Sequence, residues 1–145
     1  RHRVGPGLYR TDVDVFANAG NPAKDVGYYL HIEPGNCHAG AVLFHPSKAE
    51  FARLRTRLLD DLQGLNDVVT DPEFIEAFPD GIVTRKALST VPDGFESNAR
   101  AAPFLKMLGL GCRKDLPDAL FLDDDLIYLL IETFRSASQL VRYFD

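Results

Sequence analysis

At Pro46-Ser47 the hydrophobic pattern of this chain changes its period. Upstream, apolar and polar residues alternate, as they do on a half-buried strand; downstream, apolar residues return every three or four positions, as on a helix packed by one face. A chain that gathers its alternating segments in its first third and its helical ones after it is constrained to the α+β class, since interleaved strands and helices would be needed for a parallel sheet. At 145 residues with 46% hydrophobic and 26% charged side chains, it has the makings of one core and needs no metal or disulfide to fold.

Three strands are expected before the change of period. Tyr9 to Phe16 alternates with Tyr9, Thr11, Val13 and Val15 on one face and Arg10, Asp12 and Asp14 on the other. Ala17 to Lys24 concentrates Asn, Gly and Pro and reads as a loop. Val26 to Glu33 resumes the alternation, with Tyr28, Leu30 and Ile32 opposite Tyr29, His31 and Glu33, and Pro34-Gly35-Asn36 ends it as a turn. His38 to His45 is the third strand, whose small Ala39, Gly40 and Ala41 let a neighbour approach closely. A three-stranded antiparallel meander follows.

Ser47 and Glu50 have the spacing of a capping box, opening a helix with Phe51, Leu54, Leu58 and Leu62 in one stripe. Two shorter helical pieces are expected over Leu65 to Val69 and Asp71 to Phe78, the second with Pro72 at its first position. Ile82 to Val91 fits either strand or helix end, and Arg100 to Leu108 reads as a short helix. The clearest element is the last: Asp123, Asp124 and Asp125 lie where a helix dipole favours anions, and Leu126, Leu130, Phe134, Ala137 and Val141 repeat behind them. The expected fold is an antiparallel β-meander packed against helices, closed by a long C-terminal helix.

Several function classes lose support on composition alone. Sixteen Lys plus Arg against 21 Asp plus Glu leave a net charge of -5, the wrong sign for a nucleic-acid footprint. The longest strongly apolar run, Leu126 to Ile131, falls far short of the ~20 residues of a membrane span. Cys37 and Cys112 have neither zinc-knuckle nor redox-pair spacing and there is no Asn-x-Ser/Thr acceptor, so an intracellular, cytoplasmic setting is expected, with an organellar matrix as the alternative. No Gly-x-Ser-x-Gly elbow, phosphate loop or EF-hand spacing occurs. Neither cofactor nor metal is expected.

The candidate site is Tyr29, His31 and Glu33. Alternate residues of a strand leave the same face about 6.6 to 6.8 Å apart, and Arg10, Asp12 and Asp14 join them if the first two strands pair with polar faces together. Histidine among carboxylates suits an acid/base pair or an oxygen-and-nitrogen metal site. The competing explanation is a merely solvated face, with cross-strand pairs each contributing about 0.2 to 1 kcal/mol. His38 and His45, seven apart, point to opposite faces and read as surface histidines. Arg53, Arg55 and Arg57 read as a solvated flank.

Tyr9-Arg10-Thr11, Gly27-Tyr28-Tyr29-Leu30-His31-Ile32-Glu33-Pro34-Gly35 and Ala39-Gly40-Ala41, followed by Pro46 and Arg55, resemble the domain-of-unknown-function family 2461. Asp71-Pro72-Glu73-Phe74 and Pro92-Asp93-Gly94-Phe95 resemble later segments of that family in the same order. The resemblance implies an α+β fold of unassigned activity over 1–145. Because members usually carry a helix-rich region before the first motif, it also implies that this chain corresponds to the C-terminal part of a longer domain. Val4-Gly5-Pro6-Gly7-Leu8 and Ala101-Ala102-Pro103 stand where members carry basic residues and Asp-His-Pro. Those departures favour a noncatalytic interaction or assembly subunit with a protein partner, the alternative being a small-molecule-binding protein or enzyme that uses the polar face.

Overall fold

A computed structural model describes residues 11–18, 26–43, 47–95 and 100–145. The elements are β1 (Val13–Asn18), β2 (Val26–Ile32), β3 (His38–Leu43), α1 (Lys48–Asp60), α2 (Leu62–Thr70), α3 (Pro72–Ala77), α4 (Ala102–Leu105), β4 (Gly111–Asp115) and α5 (Leu126–Phe144), with a 3-10 turn over Asp118–Leu122. The strands form one antiparallel sheet in the order β1-β2-β3-β4. The α+β class and the long C-terminal helix are as expected. The expected three-stranded meander is present, and among the described residues a fourth strand, β4, joins its edge from beyond the helices.

β4 escaped the sequence reading because Gly-Cys-Arg-Lys-Asp has no apolar alternation. It becomes a strand by pairing, Gly40 opposite Arg113 and Ala41 opposite Cys112. A Cβ on Gly40 would run into the backbone carbonyl of Cys112, so the close neighbour anticipated for the small third strand is β4. The 82–91 segment is neither strand nor helix: Val83 exchanges two backbone hydrogen bonds with Gly111 (2.8 and 3.0 Å), and Ala87 bridges to Met107. It runs beside β4 and touches the ladder only at points.

β1 is shifted relative to expectation. Arg10 and Tyr9 lie outside the described residues, whereas Ala17 and Asn18, assigned to the loop, extend the strand opposite Tyr28 and Gly27. The cause is Gly27: a Cβ there would strike the carbonyl of Ala17, and its absence lets the strands stay together. Phe44 to Pro46 lie outside the described residues, and β3 ends at Leu43.

Ser47 accepts from the Glu50 N–H while Glu50 accepts from the Ser47 N–H, the expected capping box. The helix stops before Leu62, because Asp61 turns the chain and accepts from Gly64 to cap α2. Asp71 caps α3 in the same way through Glu73 and Phe74. The 100–108 helix shrinks to the single turn of α4 behind Pro103. Arg55 is no part of a solvated flank: its Nε donates to the Leu105 carbonyl at 3.2 Å and its guanidinium lies over the Phe51 and Phe95 rings. Residues two apart on a helix differ by about 200°, so Arg55 faces away from Arg53 and Arg57 and reaches α4.

α5 packs across β3 and β2. Ala39, Ala41 and Ala137 are almost fully buried, and these methyl-sized side chains let the helix sit low on the strands. Beyond them Leu58, Leu65, Phe74, Phe78, Leu105, Leu110 and Leu140 fill the space between α1 to α4 and the sheet. A second, smaller cluster of Cys37, Ala39 and Leu116 is flanked by Leu30, Ile32, Leu129, Leu130 and Phe134. Tyr143 Oη donates to the Asp61 carbonyl at 2.9 Å, tying the end of α5 to the α1–α2 junction. With every helix of the core on one side, Tyr28, Leu30 and Ile32 are drawn inward and Tyr29, His31 and Glu33 emerge on the other side together.

Candidate functional site on the outer sheet face

Register decides which side chains meet on the outer face. Asp14 pairs with His31, Phe16 with Tyr29 and His31 with His38, so one row of alternate residues runs across three strands. Arg113 and Asp115 of β4 continue the row opposite Gly40 and His38. Asp12 enters the same group one step before β1. Arg10, the remaining predicted member, lies outside the described residues.

His31 is the centre. Its Nδ1 lies 2.7 Å from Asp14 Oδ1 and its Nε2 lies 3.2 Å from Glu33 Oε2. A carboxylate at each ring nitrogen favours the form in which both nitrogens donate, the imidazolium. Accordingly the Asp14 hydrogen bond, first, and the Glu33 hydrogen bond, after a smaller opposing effect of burial, raise the His31 pKa above its ordinary value. Glu33 is drawn below the usual carboxylate range by the Asn36 amide first and by His31 second. Asn36 also accepts from Arg113 Nη2 at 3.1 Å, and Arg113 Nε donates to Asp115 at 2.7 Å. Asp14, His31, Glu33, Asn36, Arg113 and Asp115 therefore form one connected polar chain.

Tyr29 and His38 form a second, drier pair. Their Oη and Nδ1 are 3.1 Å apart, and the His38 ring stacks on His31 with centroids 4.7 Å apart. Burial, ahead of the nearby Arg113 and His31, depresses the His38 pKa to about 4, and burial pushes the Tyr29 phenol up to about 12. The ring is neutral and the phenol protonated, so one proton lies between Oη and Nδ1 and its direction follows the His38 tautomer. His38 is thus not a surface histidine. Its rank on β3 places it directly across from His31, and the neighbouring rings cover it until only 7% is exposed. The sequence did carry the signal: six residues separate His31 and His38 around a tight turn, the spacing of a cross-strand pair.

The predicted trio is only partly one unit. His31 and Glu33 are bonded, whereas Tyr29 reaches the group through His38. Arg113 and Asp115, part of the unpredicted β4, complete it. Cys37, adjacent in sequence to His38, turns to the other side of the sheet and donates to the Glu33 carbonyl at 3.2 Å. A concavity of about 400 Å³ beside the polar chain is lined by Gly35, Asn36, Arg113, Asp115, Pro117 and Asp118. A larger one, about 800 Å³, lies away from it, between α1 and the chain end around Arg53, Arg57 and Phe144. It holds none of the connected polar groups.

The fold and this face define an α+β domain whose antiparallel sheet carries its helical core on one side and a histidine-centred polar row on the other. Residues 2–143 match the family described as conserved hypothetical protein (DUF2461), and the chain belongs to that family. Comparison with curated proteins and with solved structures yields no match. Among the described residues no helix is long and apolar enough to cross a membrane.

Proposed function

We propose that this protein is a small-molecule-binding domain that holds a polar ligand on the outer face of its sheet, around Tyr29, His31 and Glu33. The observation that carries the reading is His31 hydrogen-bonded at both ring nitrogens, within a row that runs on through Asn36 to Arg113. Side chains already locked by neighbours lose little entropy when a ligand arrives. The row offers donors from Arg113 and Asn36 and acceptors from Asp14 and Glu33, beside a concavity sized for a small molecule. A screen of small polar metabolites by amide and imidazole NMR is expected to move the signals of His31, Asn36 and Arg113 together. Hits that move only residues around Arg53 and Phe144 overturn it.

A second reading, an intracellular noncatalytic assembly subunit with a protein partner, is favoured by one observation. Val13 and Val15 on β1 and Ile127 and Ile131 on α5 are each about half exposed or more, and exposed apolar side chains that gather into one patch are a common mark of contact with another chain. Under that reading Val15→Asp and Ile131→Asp lower the solution mass of the assembly, while Tyr29→Phe, His31→Ala and Glu33→Gln leave it and the cell phenotype unchanged. Sedimentation of the natural chain and these variants separates the two.

A further inference from the structure

At one corner of the outer face the register brings together more than an ion pair. Asp12 and Asp14 are alternate residues and share a side; His31 stands across from Asp14. One ligand atom from each of the three lies within 4.8 Å of the other two. We propose that Asp12, Asp14 and His31 Nδ1 form a binding site for a divalent first-row transition ion. This deepens the reading of the face as a ligand-binding surface and rests on it, and it replaces the expectation of a metal-free protein.

Three features support the assignment. First, metal–oxygen and metal–nitrogen bonds of about 2.0–2.2 Å hold neighbouring ligand atoms roughly 3–3.5 Å apart. Nδ1 and Asp14 Oδ1, at 2.7 Å, need only a small side-chain rotation to admit an ion in place of the proton between them. Second, His31 has the outer partner that metal-bound histidines characteristically have: Nε2 faces Glu33, and Glu33 is itself held by the Asn36 amide. A carboxylate on the far nitrogen fixes the tautomer that leaves Nδ1 as the ligand and increases its basicity. Third, Asp14 retains access to solvent, with 33% of its side chain exposed, so an ion has a path to the site.

The donor set also states the preference. One imidazole with two carboxylates suits Mn2+, Co2+ or Zn2+, whereas Mg2+ and Ca2+ favour all-oxygen shells. Three protein ligands would leave coordination positions for water or a bound molecule.

The test uses the full chain, free of tags and stripped with chelator. Co2+ titration followed by visible absorption, and Zn2+ titration by calorimetry, are expected to show one equivalent bound, with Mg2+ a poor competitor. Asp12→Asn, Asp14→Asn and His31→Gln are each expected to weaken binding at least tenfold, and Glu33→Gln roughly tenfold through His31. Mn2+ broadening of NMR signals in the unaltered chain needs no variant; it is expected to be strongest at Asp12, Asp14 and His31. Absence of stoichiometric binding, undiminished binding by Asp12→Asn and Asp14→Asn, or broadening centred elsewhere overturns the site. If metal is refused while polar molecules still shift the His31 signals, the metal inference falls and the binding face stands. If metal binds here but no small molecule follows with or without it, the metal site stands and the proposed function falls.

Discussion

The two faces of the sheet are built from the same strands by opposite means. The inner face uses small side chains: Ala39 and Ala41 of β3, with Ala137 of α5, let the helix approach closely, and the contact is held by area and fit. The outer face keeps long, ionisable side chains in position by hydrogen bonds, from Asp14 through His31, Glu33 and Asn36 to Arg113. Damage to the first is therefore expected to cost folding. Damage to the second is expected to cost binding, because each exposed pair contributes at most about 1 kcal/mol to stability.

The largest contrast comes from the inner side. Leu140, fully buried between α5 and the core, is expected to cost about 2–5 kcal/mol on truncation to Ala, measured by urea unfolding; a loss below 1 kcal/mol would show that the inner face is not close-packed. Next is the stacked pair His31 and His38, whose titrations run in opposite directions. His38, depressed to about 4, contributes stability that is present above pH 6.5 and declines as pH falls toward 4, because the unfolded chain takes up the proton first. His31, raised by its carboxylates, contributes stability that is full below pH 6.5 and is lost as pH rises through its folded value. In chelator-treated protein the stability profile is thus expected to crest near pH 6.5, with His38→Gln flattening the acid side and His31→Gln the alkaline side. A profile unchanged by either variant breaks the comparison.

Smaller effects sharpen it. Removing the capping box by Ser47→Ala is expected to cost about 1 kcal/mol, with little effect on the outer face, which α1 does not touch. Glu33→Gln is expected to change stability by less than that while altering the His31 imidazole shifts. The thiol of Cys112, buried on the inner face and pushed up to about 12, is expected to react with Ellman's reagent only on unfolding. Rapid modification in the native protein would show that the inner face opens.

Where one side chain could declare its environment, the reading from sequence was sound. The alternation of Tyr28 to Glu33 sorted inward from outward residues, and Ser47, Asp71 and the acidic run before Leu126 marked helix starts within a residue or so. Tyr29, His31 and Glu33 were expected to share a face with Arg10, Asp12 and Asp14 if the first two strands paired; Asp14 meets His31 there, while Arg10 lies outside the described residues. Legibility failed where a residue takes its role from a distant neighbour. Gly-Cys-Arg-Lys-Asp is a strand only because β3 offers it a ladder, Arg55 leaves the helix flank only because the Leu105 carbonyl is within reach, and His38 is buried only because Tyr29 and His31 lie over it.

What the order of residues determined by itself is therefore the periodicity: a repeat of two and a repeat of about 3.6 suffice to set elements and faces, since those follow from backbone geometry that every residue shares. Register across strands, the fourth strand and the convergence of Asp12, Asp14 and His31 depended on the folded state. Outside the tight turn that sets His31 against His38, contacts between residues far apart in sequence are chosen by the packing of the whole chain.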